Sequence, residues 1–219
     1  GDDDFQKTMM IVNTAGWDTD CNSGNVGCVL GIKNGIESLK AKPDYLTPVN
    51  DIVYCPTAIG GETITDALTE TFKIINIARN INGLKDKKIK DFSRYHFEMP
   101  YSTQGWKAKT ETQDNFIEIN NILYKSEIGE RALQVKFKYL NKDFKSEIYV
   151  DTFLPEEATK LKGLARKKFF GYKFISCPII YSNQIAKLEI VSKSEETIRF
   201  NLFIEYWGKN DKLIKMCSP

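Results

Sequence analysis

The chain has 219 residues, 42% of them hydrophobic and 27% charged, and its 31 Lys and Arg against 29 Asp and Glu leave a net charge of +2. This balance excludes the basic footprint of a nucleic-acid-binding surface, and the length suits one large domain or two modest ones. No apolar run approaches the roughly 20 residues of a membrane span, and the acidic start Gly1-Asp2-Asp3-Asp4 is the reverse of the basic end of a signal peptide. The first residue is not Met, so the chain is expected to be a piece of something longer. Five cysteines, at 21, 28, 55, 177 and 217, form neither an even set nor a paired CxxC pattern, which points to a reducing, cytoplasmic setting.

From Asp4 to about Ile81 the periodicity is helical. Phe5, Met9 and Val12 share a face of a short helix that stops at Ala15-Gly16, and a second helix is expected from Asn22 to about Leu39. Gly24, Gly27, Gly31 and Gly35 recur along it at steps of three and four. Each glycine costs a helix roughly 1 kcal/mol relative to alanine, so the row predicts a buried helix closely approached by another backbone. Pro43, Pro48 and Pro56 punctuate a loop as far as Gly60-Gly61. A third helix, from about Thr63 to Asn80, carries the stripe Ile64, Leu68, Thr71, Ile75 and Ala78, and Asn82-Gly83 closes it. Lys85 to Lys90 reads as a solvated linker and sets the domain boundary at 88/89.

Beyond the linker the period becomes two. Leu133, Val135, Phe137 and Tyr139 alternate with polar residues, as do Ala186, Leu188 and Ile190, and Ile198 through Tyr206; shorter strands are expected at 94–99, 116–119, 146–151 and 172–176. Half-buried strands in this number imply an antiparallel, jelly-roll-like β-sandwich over residues 89–219. The fold class is therefore α+β and multidomain, with a helical segment at 1–88. Because each strand can bury one face against the opposite sheet, the sandwich is expected to fold independently. His96 and the aromatic residues Trp106, Tyr172, Tyr181 and Trp207 read as strand and packing positions, and Arg166-Lys167-Lys168 as a solvated turn.

The chemistry-bearing segment is Gly16-Trp17-Asp18-Thr19-Asp20-Cys21-Asn22, between the first two helices. Two carboxylates separated by one residue in a turn can address one centre, and hard oxygen donors suit Mg²⁺ or Ca²⁺. Taken alone, the same residues read as helix caps or Asx turns, the commoner role of Asp and Asn before a helix.

The run Asn13-Thr14-Ala15-Gly16-Trp17-Asp18-Thr19-Asp20-Cys21, followed by Gly24, Gly27, Leu30 and Gly31, resembles the late metal-binding motif of the ADP-ribosylglycohydrolase family, a glycine and Asp-x-Asp-Thr entering a glycine-rich helix. The likeness covers about residues 1–83. It implies the C-terminal part of an all-α domain that uses two Mg²⁺ ions to position ADP-ribose and activate water at the anomeric carbon. Carried over, Asp18 and Asp20 are metal ligands, Asp20 the bridge between ions, and Cys21 stands where the family has a ligating threonine. A thiol is a soft partner for Mg²⁺ and departs from the pattern.

The family's early Thr-x-Asp-Asp motif has no counterpart in this sequence. Two carboxylates fall well short of the roughly six oxygens each divalent ion takes, so the chain is expected to carry half a site and to need the missing N-terminal half of the helical domain. The resemblance thus implies a hydrolase acting on an ADP-ribosylated substrate or related glycosidic bond, inactive in this chain alone. The other reading is a non-catalytic binding module: the run from His96-Phe97-Glu98 through Gly129-Glu130-Arg131-Ala132-Leu133 is similar to galactose-binding-like carbohydrate modules, which implies a sandwich that would recognise a glycan or a protein domain.

Overall fold

The computed structural model describes residues 1–40, 42–46, 51–54, 64–87, 94–110, 116–127, 129–138, 146–151, 160, 162–165, 183, 185–193, 199–207 and 213–217. The expected boundary at 88/89 and the strand expected at 172–176 lie outside them, as does most of the proline-punctuated loop. The chain divides into two compact units, Gly1–Ile180 and Tyr181–Pro219.

In the first unit, helix α1 spans Phe5–Thr14 and starts where the Asp4 carboxylate accepts the Lys7 amide proton at 2.7 Å, the ordinary N-cap bond. Its face carries Phe5 and Met9, one turn apart. These pack on Leu30 of helix α2, Asp20–Asn34, with Val26, Leu39 and Tyr45 partly buried around them. The Phe5 and Tyr45 rings meet edge to face at 5.4 Å. Helix α2 ends at Gly35, whose amide donates to the Gly31 carbonyl, and a 3-10 helix follows at Ile36–Lys40. The single long helix expected to Leu39 is thus broken by the glycine at its C-cap.

The glycine row does not do what its spacing predicts. A Cβ at Gly24 or Gly31 would meet nothing within 4 Å, and one at Gly27 would make only an ordinary contact with the Met9 thioether. Leu30 is the buried residue of α2, while Val29 and Ile32 are 65% and 82% exposed. Spacing aligns the glycines on one side of the helix, but only a neighbouring backbone would make use of it.

Strands β1, Val53–Tyr54, and β2, Ile64–Thr65, form a short antiparallel pair that leads into helix α3, Ala67–Ile81. The helix begins three residues later than its apolar stripe suggests, because Asp66 caps it and Ile64 belongs to a strand. It closes at Asn82-Gly83, where Gly83 has φ +68°, a conformation glycine adopts without the penalty a side chain brings. Residues 85–87 fold back on the helix: the Asn76 side chain exchanges two hydrogen bonds with the Lys87 backbone, and Arg79 Nε donates to the Lys85 carbonyl at 2.7 Å.

Strand β4, Phe116–Leu123, pairs with β5, Arg131–Lys138, in an eight-residue antiparallel hairpin with Asn120 opposite Gln134. Strand β3, Lys107–Thr110, lies against β4 and pairs with β6, Ser146–Tyr149, antiparallel. Residues 94–99 are not the strand their alternation predicts. They belong to a looped segment, 94–106, in which Phe97, Tyr101 and Gln104 have left-handed φ of +57°, +69° and +49°.

The second unit holds β7, Ile204–Trp207, antiparallel to β8, Leu213–Cys217. Residues 185–193 and 199–203 form no strand despite their alternation, and Ile185, Leu188, Ile190 and Phe200 are exposed. Alternation marks a surface able to pair, whereas a strand also needs hydrogen bonds from a neighbour. The described architecture is α+β, with four two-stranded antiparallel sheets.

Candidate functional site

The turn from α1 to α2 sets the sequence-predicted residues together. The α1 helix stops at Ala15, whose amide still reaches the Ile11 and Val12 carbonyls, and Trp17 then takes a left-handed φ of +81°. Its ring is 98% exposed. Ser23 fixes the re-entry: its hydroxyl lies 2.6 Å from Asn13 Oδ1 and 2.7 Å from the Thr19 carbonyl, which joins the end of α1 to the first turn of α2. Asp20 is the first residue of α2, where the unpaired amides of a helix start favour negative charge.

The Asp20 carboxylate accepts the Cys21 amide proton at 2.6 Å. This bond first, and the neighbouring Asp18 second, hold its carboxyl below the usual aspartate range. Cys21 is an exposed free thiol beside them, as is Cys28 two turns along. In kind, the two carboxylates fit a hard divalent cation. In number they do not complete a site: one Asp20 oxygen is engaged with the backbone, and among the described residues no group of three or more His, Cys, Asp or Glu side chains is arranged to hold a metal ion.

A second cluster was not apparent from the sequence. Asp66, at the N-cap of α3, accepts the Thr69 amide proton on Oδ1 at 2.7 Å and the Thr69 hydroxyl proton on Oδ2 at 2.9 Å. Its Oδ2 also meets His96 Nε2 at 3.1 Å, and both side chains are buried. Burial pushes the Asp66 carboxyl up, but the hydrogen bonds from His96 and Thr69 outweigh it and hold the group below its ordinary range. Beside it Asp51, 7% exposed, accepts the Ala67 amide proton at 3.0 Å, while its second oxygen is buried without a hydrogen-bond partner. Desolvation raises the Asp51 carboxyl from 3.8 to about 6, helped by the nearby Asp66 charge.

The looped segment supplies the rest. His96 Nδ1 accepts the Glu98 amide proton at 2.9 Å. Gln104, 2% exposed, accepts the Phe97 amide proton at 2.8 Å. Asn121 of β4 donates to the carbonyls of Phe97 and Ser102 at 2.6 and 2.8 Å and accepts from Arg131 Nε at 2.6 Å. The Glu98 carboxylate reaches across to the amides of Glu130 and Arg131 at 2.8 and 3.2 Å. Gly129 permits that approach, since a Cβ there would collide with Glu98 Oε1. Three non-glycine residues with positive φ in one short segment cost about 1–2 kcal/mol each, and such strain persists where surrounding bonds over-determine it. These side chains supply those bonds.

In sequence, His96 showed only as the single histidine of an alternating stretch, and Asp66 only as one acidic residue near a helix start. A signal was available in Thr65-Asp66 followed by Thr69-Glu70, an N-cap pattern, and the structure shows Thr65 Oγ1 donating to Glu70 Oε1 at 2.7 Å. No protein-family model, characterised protein or solved structure matches the chain.

Proposed function

We propose that the chain carries part of the site of a metal-dependent glycohydrolase of ADP-ribosylglycohydrolase type, with Asp18 and Asp20 as oxygen ligands of Mg²⁺. The observation that carries the reading is the position of both residues on the exposed turn between α1 and α2, within the stretch 13–31 whose residues resemble that family's late metal motif. When bound, such an ion polarises water for attack at an anomeric carbon. The residues of this chain would orient the ion: Asp20 stands at the start of α2, Asp18 beside it, and the Ser23–Asn13 bond fixes the turn. Cys21, a soft thiol, stays outside the ligand set. The remaining oxygen ligands, and the substrate-binding loops, come from a complementary segment with its own carboxylates.

We further propose that the β3–β6 and β4–β5 pairs belong to one antiparallel sandwich. The contact between β3 and β4, and the alternation of exposed Phe116 and Glu118 with half-buried Ile117 and Ile119, support it.

Manganese, a paramagnetic stand-in for Mg²⁺, tests the site directly. Titrated into the whole chain, it is expected to broaden the amide resonances of residues 17–22 first and with weak affinity, and Asp20→Asn should abolish the effect. Broadening centred elsewhere, or unchanged in that variant, would sink the assignment. The chain by itself is expected to turn over no ADP-ribosylated protein.

A further inference from the structure

We propose that His96 is a proton-operated latch that joins the start of α3 to the start of β5 in its neutral form and releases the connection when it is protonated. The latch is independent of the hydrolase reading.

The argument rests on which nitrogen holds the proton. The Glu98 amide donates to His96 Nδ1 at 2.9 Å, so Nδ1 presents its lone pair and bears no hydrogen. A neutral imidazole then carries its proton on Nε2, which donates to Asp66 Oδ2 at 3.1 Å. The Gln104 amide nitrogen stands 3.4 Å from Nε2, and as both are donors it adds no bond. Asp66 accepts from Nε2 whether the ring is neutral or charged, because Nε2 bears a proton in both forms. Nδ1 alone distinguishes them: its protonation sets two N–H groups against each other, and the Glu98 amide must leave.

Glu98 then transmits the change. Its amide is held by His96, and its carboxylate holds the Glu130 and Arg131 amides at the start of β5. The connection therefore runs from Thr69 through Asp66, His96 and Glu98 to Arg131, and Nδ1 is the one atom in it that cannot serve both charge states. Among the described residues, charged and titratable groups around the ring include Asp66 and, behind it, Glu70 on α3; Asp51 ahead of β1; and Arg94 and Glu98 on the looped segment. Asp51 and Asp66 oppose Arg94 in sign.

Hydrogen exchange of the full chain, corrected for intrinsic pH dependence, reads the latch at Glu98, Glu130 and Arg131. As the pH is lowered from neutral, in step with protonation of Nδ1 read from the imidazole nitrogen-15 signals, the protection of these three amides is expected to fall about tenfold, the size of one lost hydrogen bond, ahead of the other amides of β4 and β5. His96→Asn, which offers a non-titrating acceptor near the Nδ1 position, should remove the pH dependence. Asp51→Asn should leave it in place. Equal loss in His96→Asn, loss abolished by Asp51→Asn, or uniform loss along the hairpin would overturn the proposal. Should His96→Asn fail to fold, nitrogen-15 spectra of the wild-type imidazole decide: Nδ1 unprotonated at neutral pH and protonated together with the loss of Glu98 protection upholds the latch, and an Nδ1–H tautomer at neutral pH overturns it.

Discussion

Asp66 combines two jobs that are usually separate, capping α3 and pairing a buried histidine. Alanine at an N-cap costs about 1 kcal/mol, and stranding a buried donor adds about 1–3 kcal/mol. Asp66→Ala is therefore expected to lower stability by about 2–4 kcal/mol in urea denaturation, whereas Asp66→Asn, which keeps an oxygen for the Thr69 amide but sets its NH2 against His96 Nε2–H, should recover only the capping part, about 1 kcal/mol. Asp51 acts in the opposite sense. Its folded value of about 6 lies above the ordinary 3.8, so between these values the folded chain binds more protons than the unfolded one, and stability falls as pH rises through that window. The penalty above pH 6 is about 3 kcal/mol. Asp51→Asn keeps an acceptor for Ala67 and removes the charge; it should be more stable than wild type at about pH 7.5 and lose that advantage below about pH 4. An unchanged difference across this range would show that Asp51 does not titrate as its burial requires.

The helices show how far periodicity reaches at the level of an element. Both α1 and α3 begin at aspartate caps, α3 three residues inside its predicted stripe, yet α3 exposes Ile74, Ile77 and Ile81, which share a side of the helix, at 67%, 60% and 80%. Apolar residues at helical spacing mark a face able to bury itself, and burial depends on what arrives opposite. The same reasoning makes the glycines of α2 a test. With open space at Gly24 and Gly31, alanine at either position should stabilise the chain by about 0.5–1 kcal/mol through helix propensity alone. Destabilisation on thermal unfolding would mean that a backbone covers that side of the helix in solution. The hairpin β4–β5 was legible through Leu133, Val135 and Phe137, whereas β3 was not, because Lys107-Ala108-Lys109-Thr110 has no apolar alternation strong enough to declare a strand.

In the whole first unit, the looped segment 94–106 binds on two sides. His96 reaches Asp66, and the Tyr101 hydroxyl donates to Glu37, with Lys40 over the Tyr101 ring at 3.5 Å. Residues on either side of the expected 88/89 boundary are thus joined at two places. A chain of residues 90–219 is expected to keep the backbone ladder of 116–138, whose hydrogen bonds are internal, and to lose amide protection across 96–104, whose anchors lie at Asp66 and Glu37. Protection at 96–104 equal to that of the full chain would make those anchors dispensable. Asn121→Ala, which removes the hairpin's own hold on Phe97 and Ser102, should cost about 1–3 kcal/mol in the full chain.

What the sequence determined by itself is local: the stops of α1 and α3 at Ala15-Gly16 and Asn82-Gly83, and the period of β5, each set by residues within a few positions of one another. Tertiary structure alone decided the polar cluster. Asp51, Asp66, His96, Gln104, Asn121 and Arg131 span eighty positions of the chain, and none has a spacing that announces the others. Their partnership arises from burial, which makes every unpaired donor or acceptor costly and so selects the one arrangement in which His96 has an acceptor at Nε2 and a donor at Nδ1.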